Sequence, residues 1–318
     1  MAFVPVIALA SLMVGVGAEV GAPVKLVYAF NLSALEGPLP LHQPWISYDA
    51  TAHEVYVVQR ELSLVRVFND SGMQVHTFGE DGSLGDIISV ASLRSGDLLV
   101  VSNIAGATRL TRCNYRGVPV AELTLSGDAV SDLRDFVLES ATAVDGKLYL
   151  LSRVAKQVLV ADLDGRVQRS INLASVAGLD AEMARDNDIA GLSVDVHGNI
   201  LFTIPTLFSA YIVSTVDGDV RQFGKRGSSP GRFNLVSGIV ADEQGLVYVA
   251  DTLRSVVMVF DDQLAFRGEY GYRGWAAGSL ISPRHLVVGG DKVFVTQSAR
   301  RGVSAFRVVM PPKVEPTT

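Results

Sequence analysis

Six short apolar runs recur along the chain at a nearly constant interval, and this rhythm limits the fold more than any other feature. VYVV at 55–58, LLVV at 98–101, LYLL at 148–151, ILFT at 200–203, VYVA at 247–250 and VFVT at 293–296 begin 43, 50, 52, 47 and 46 residues apart. Runs of this length bounded by polar turns read as strands, since a helix needs a longer segment with a 3.6-residue period. The preceding turns contain ATAHE, RSGD, VDGK, VHGN, DEQG and GGDK. A further apolar strand lies ahead of the turn, as in WISY, GLSV, GIVA and HLVV. A polar loop then leads to a third strand (LVRVF, KQVLVADL, YIVSTV, VVMVF) and a turn to a fourth (QVHTFG, VQRSINL, VRQFG).

The unit is thus four short antiparallel strands, repeated six times. Such a sheet cannot cover both of its faces alone, but copies set radially cover one another, which is the logic of a β-propeller. The last copy supplies strands near 284–288, 293–296 and 303–309 and then meets PPKVEP, so it lacks a fourth. The segment VKLVYAF, 24–30, precedes the first full copy without a partner. It is expected to fill the vacant outer position and close the ring. The expected fold is all-β: a six-bladed β-propeller of four-stranded antiparallel blades over 24–310, closed by an N-terminal strand, with a disordered tail at 311–318.

Within this rhythm the stretch 223–260 resembles an NHL repeat. The matching residues are Phe223-Gly224, Gly227, Gly231, Phe233, Gly238-Ile239, Asp242, Gly245, the run Val247 to Thr252, and Val259-Phe260. Arg254 and Val256 stand where the family has Asn and Arg, and Val236 where it has Pro. The match is partial around Pro283, fainter in the first copy, and reduced to strand rhythm over 87–183. The resemblance implies a six-bladed propeller in which Asp251 and Thr252 hold a loop through backbone hydrogen bonds, a structural role and not a catalytic one.

Charge and ends narrow the function. With a net charge of -6 and a pI near 5.4, the chain has no general basic footprint, which argues against nucleic acid as partner. Residues 1–18 carry no charge, and Val16-Gly17-Ala18 supplies small residues of a cleavage-site type. A secretory signal peptide cut after Ala18 or Ala22 is expected, with export to a periplasmic or extracellular space. If uncleaved, the same segment is a membrane anchor. The single cysteine, Cys113, forms no intrachain disulfide and reads as a small buried apolar residue.

If strands one and three start on the same side, the loops after strand two and the loops between blades share one face. That face collects Arg60, Arg153, Arg254, Arg273, Arg300 and Arg301, with His285 and the loop residue Trp275, which sits beside Tyr272 and Arg273 in GYRGWAAGS. Clustered guanidinium groups focus a positive potential and suit a protein or an anionic ligand. Of the five histidines, His53 and His197 fall on the opposite face, His76 in an outer strand, and only His285 and His42 approach the channel mouth. Two are too few for a catalytic zinc site with three protein ligands. Asn103, Asp251 and His285 are the candidates if a calcium or zinc ion is held at all. The leading expectation is an exported, non-enzymatic binding scaffold without cofactor, acting through its loop-rich face. The alternative is a metal-dependent hydrolase or lyase, similar to lactonases or peptidyl-hydroxyglycine lyases, with its site at the mouth of the central channel.

Overall fold

The computed structural model describes residues 23–34, 37–39, 41–127 and 136–311. The expected signal segment and residues 312–318 of the expected tail lie outside them. In the blade spanning 236–270, Val247–Asp251 and Val256–Phe260 are buried along their whole length. Both faces of that sheet therefore need a cover, and the neighbouring blades supply it. The chain forms six four-stranded sheets, each antiparallel, arranged as a β-propeller. Their innermost strands are Trp45–Asp49, Asp86–Ser92, Ser140–Val144, Leu192–Val194, Val236–Ala241 and Leu286–Gly289, of blades one to six in that order. Blade six closes back on blade one.

Closure follows the expected route with a shift of one residue. The outer position of blade six is taken by Lys25–Asn31, paired antiparallel with Val303–Val309 from Lys25 opposite Val309 to Asn31 opposite Ser304. Both ends of the described chain are thereby held in one sheet. The ring is held by six apolar clusters, one at each junction between neighbouring blades. Tyr248 and Phe306 meet in the cluster between blades five and six, and Phe68 and Phe294 in the one that joins blade six to blade one. Burying one such ring stabilises by about 1.5–3 kcal/mol.

The NHL-like stretch shows how the turns are built. Asp242 accepts hydrogen bonds from the backbone N–H of Gln244 and Leu246, and Gly245 takes the left-handed conformation that this turn requires (φ +83°). At the other end of the second strand, Asp251 is fully buried and accepts from the N–H groups of Asn234, Leu235 and Arg254. Thr252 Oγ1 donates to Pro283 O of the next blade at 2.8 Å. Both residues tie loops, in line with the structural role the resemblance implies. Cys113 is buried at the junction of blades one and two, and burial, with Asp97 nearby, pushes its thiol up to about 12.

Two short helices, Leu173–Val176 and Ala181–Asp186, lie between blades three and four. The strand rhythm registers them only as the longest interval, 52 residues. Each is N-capped locally, by Asn172 on Ser175 N–H and by Asp180 on the N–H groups of Glu182 and Met183. They are too short to show a helical period.

Candidate functional site

Every innermost strand starts on the same face, so every second strand ends there. The loop after strand two consequently hangs over the channel mouth. In blade one this loop is a single 3-10 turn, Arg60–Leu62, closed by Ser63 in the left-handed conformation. Arg60 Nη2 donates to Ile88 O at 3.2 Å. The strand register slips between Ile87 and Ser89, so Ile88 stands out of the ladder and its carbonyl is left for the guanidinium. Arg153 occupies the corresponding position in blade three. Its Nε donates to Glu139 Oε2 at 2.6 Å and its Nη1 to Ala190 O at 3.1 Å, so it too bridges to the next blade. Glu139 is fixed further by Val154 N–H at 3.2 Å.

These side chains line a cavity of about 250 Å³ with Trp45, Arg284 and His285. His285 comes from the residue just before the inner strand of blade six, the position that Glu139 holds in blade three. Its backbone is pinned on Thr296, whose Oγ1 accepts from His285 N–H at 2.9 Å. Its ring lies on Trp45 with centroids 4.1 Å apart. Nδ1 of His285 and Nε1 of Trp45 are both buried without a hydrogen-bond partner. The residue lines both the mouth and the cavity below it, and its ring is otherwise enclosed by protein. This enclosure, followed by the charges of Arg153 and Arg60, lowers its pKa to about 3. It is a neutral imidazole at physiological pH. Burial also lowers the pKa of Arg60, and the neighbouring charge of Arg153 adds to the effect. The mouth thus holds three guanidiniums, of which Arg60 and Arg153 repel each other, with one carboxylate and one uncharged imidazole.

A second cavity of about 420 Å³ continues down the axis, and Trp45, Ser140, Leu192, Ser193, His285 and Leu286 line both.

Of the residues singled out in the sequence, Arg60, Arg153 and His285 are brought together. The others are not. Arg254 pairs with Glu269 (Nη2 to Oε1, 2.6 Å) and donates to Arg232 O, with its side chain only 11% exposed. Arg301 donates to Trp275 O, Ala276 O and Ser279 O and lies over the Trp275 ring, so it clamps the loop that carries Trp275. Trp275, Arg273 and Arg300 are exposed and do not line the channel. The proposed ion ligands also separate. Asp251 spends its carboxylate on backbone N–H groups, Asn103 accepts from Thr108 Oγ1 at 3.0 Å, and only His285 lines the mouth. Among the described residues, no group of three or more His, Cys, Asp or Glu is placed to hold a metal ion. Glu139 is the one carboxylate lining the mouth, and it is engaged by Arg153. This donor set, beside two further guanidiniums, does not fit a divalent cation.

Glu139 was not among the sequence candidates. The strand it precedes, SATAV, is short and weakly apolar, and its only signal was its equivalence to His285 one residue ahead of an inner strand.

No protein-family model matches the chain, and no curated protein does. Solved structures of the same shape exist at low identity. A streptogramin B lyase has a TM-score of 0.59 at 13% identity, with 92% of this chain and 100% of that one covered. A catalytically inactive histidine-to-alanine variant of virginiamycin B lyase from Staphylococcus aureus, bound to quinupristin, gives 0.55 at 9% identity, covering 91% and 99%. A gluconolactonase from Xanthomonas campestris gives 0.55 at 11%, covering 90% of each chain. The expectation of a non-enzymatic scaffold is overturned by these neighbours: lyases and lactonases share the shape. That expectation had rested on the repeats, the uncharged N-terminal segment and the absence of a convincing catalytic set in the sequence, whereas Arg60, Arg153, Glu139 and His285 line one cavity. At these identities the likeness establishes the six-bladed propeller fold.

Proposed function

We propose that this propeller, with blades of NHL type, is an enzyme of lyase or lactonase kind whose reaction takes place at the channel mouth. The observation that carries the reading is His285: a neutral imidazole that lines one cavity with Arg60 and Arg153. Elimination beside a carbonyl and opening of a cyclic ester both gather negative charge on a carbonyl oxygen. Arg60 and Arg153, held by Ile88 O, Ala190 O and Glu139, are preorganised to meet that charge. As negative charge develops beside them it offsets their field, so His285 becomes a better proton acceptor as the reaction proceeds. Glu139 holds Arg153 in place. The reading uses no metal, because the donor set at the mouth does not suit one. That a histidine-to-alanine variant inactivates one enzyme of this shape supports placing the chemistry on an imidazole. The uncharged segment at 1–18 supports an exported enzyme.

The test is turnover of a panel of simple lactones and of β-substituted carbonyl compounds by the whole protein and by His285→Ala. The expected result is measurable turnover that falls by about 10²- to 10⁴-fold in the variant. Equal rates in the two proteins, or no turnover of any member, would overturn the reading.

A further inference from the structure

The channel changes character along its axis, and the change selects a ligand. At the mouth, Arg60, Arg153 and Arg284 face one carboxylate, Glu139. Among the described residues, Nε and Nη1 of Arg60 and Nη2 of Arg153 have no protein partner, so both guanidiniums keep donors for a ligand. Below the Trp45–His285 pair the wall becomes mainly apolar: Val144, Val194, Ala241, Val287 and Val288 line the lower cavity, with Ser47, Thr142 and Ser193 among them. At the far rim the charge reverses, because Asp49, Asp195 and Glu243 outnumber Arg94 there. A sugar-like polyol would leave most of its hydroxyl groups unpaired against the valines and alanines of the lower cavity, where only a few serines and Thr142 answer them. A purely apolar ligand would leave the guanidiniums unanswered.

We propose that the channel takes an amphiphilic carboxylate: its charged group engages Arg60 and Arg153 at the mouth, and its hydrocarbon chain runs down the axis past Trp45 and His285. This specifies the substrate class of the site proposed above and rests on that reading, since opening a lactone with an alkyl substituent yields such a carboxylate. The orientation follows from the two rims, which attract the head at one end and repel it at the other. A five-residue inner strand spans about 17 Å, enough for a chain of roughly ten carbons.

The test is binding of the straight-chain carboxylates from butyrate to decanoate, below their micelle concentrations, to the full chain carrying Trp275→Phe. Trp45 is then the only tryptophan and reports occupancy by its fluorescence. Affinity is expected to rise about fourfold per methylene up to the channel's length. The matching alcohols are expected to bind at least tenfold more weakly, and Arg153→Gln to abolish that difference. Ala143→Phe, which narrows the lower cavity, is expected to flatten the chain-length series while butyrate binding persists. The wild-type series decides the matter even if that variant does not fold. Flat affinity along the series, tighter binding of gluconate than of octanoate, or equal binding of acids and alcohols each overturns the proposal. Binding is read without turnover, so the two claims separate. A chain-length series with no lactone turnover would sink the enzymatic reading and keep this one; lactone turnover indifferent to alkyl length would do the reverse.

Discussion

Arg60 and Arg153 on one side of the loop-rich face, and Arg254 and Arg301 on the other, are the same residue in similar loops put to opposite uses. The first two each reach a backbone carbonyl of the following blade, Arg153 with Glu139 as a further partner, and keep donors free over the channel. The second two satisfy themselves locally. Arg254 has Glu269 and a carbonyl, and Arg301 has three carbonyls and the face of Trp275. A count of basic residues on a face therefore says little about a binding site. What decides is whether a guanidinium reaches across to the next blade with donors to spare or is used up by the loops and strands around it.

The contrast is sharpest in activity. Arg60→Gln and Arg153→Gln are expected to lower kcat/KM by at least about 100-fold on any lactone that is turned over, the scale of losing one preorganised donor. Thermal stability should change little for Arg60→Gln, which gives up a single 3.2 Å hydrogen bond to Ile88 O, and steady-state kinetics beside a melting curve would show the split. Arg254→Gln should behave in the opposite way. Breaking its largely buried pair leaves Glu269 uncompensated and is expected to cost about 2–4 kcal/mol, read by denaturant unfolding, with kcat/KM within twofold of the parent.

Acid sensitivity tests the electrostatics of the mouth. His285 binds a proton near pH 6.5 when unfolded and only at about 3 when folded. The unfolded state therefore holds more protons between these values, and stability is lost as pH falls through that window, by up to about 1.4 kcal/mol per unit. His285→Asn should flatten this part of the stability profile. An unchanged acid limb would mean that the imidazole is charged in the fold. A carboxylate placed against Arg60 and Arg153 should in turn raise the His285 pKa, visible as a shift of its ring nitrogen resonances on adding octanoate.

The smallest effect expected is at Arg301. Arg301→Gln should loosen the 275–279 loop and move the emission of exposed Trp275 without altering ligand binding. Loss of binding here would bring the outer loops back into the site.

The fold was legible because each blade repeats the same physical demand. Tyr56, Tyr149 and Tyr248 fall at one position of the apolar run, and the unmatched strand at 24–30 had one vacancy to fill. The helices at 173–186 were not legible, since four and six residues carry no period. At the site, Arg60, Arg153 and His285 were legible as residues of one face, because strand order alone fixes the side on which a loop emerges. Their separation from Arg254 and Arg301 was not. It depends on whether a long side chain meets Glu269 or the carbonyls of residues 275, 276 and 279, which sequence spacing does not reveal. Glu139 was hidden by the weakness of the strand that follows it.

The most direct test of the account compares two double variants side by side, Arg60→Gln/Arg153→Gln and Arg254→Gln/Arg301→Gln, in octanoate binding and in turnover of an alkyl-substituted lactone. The account predicts loss of both properties by at least about 100-fold in the first and retention of both within twofold in the second, provided each variant is folded by circular dichroism. Retention in the first variant, or an equal loss in the two, would contradict it.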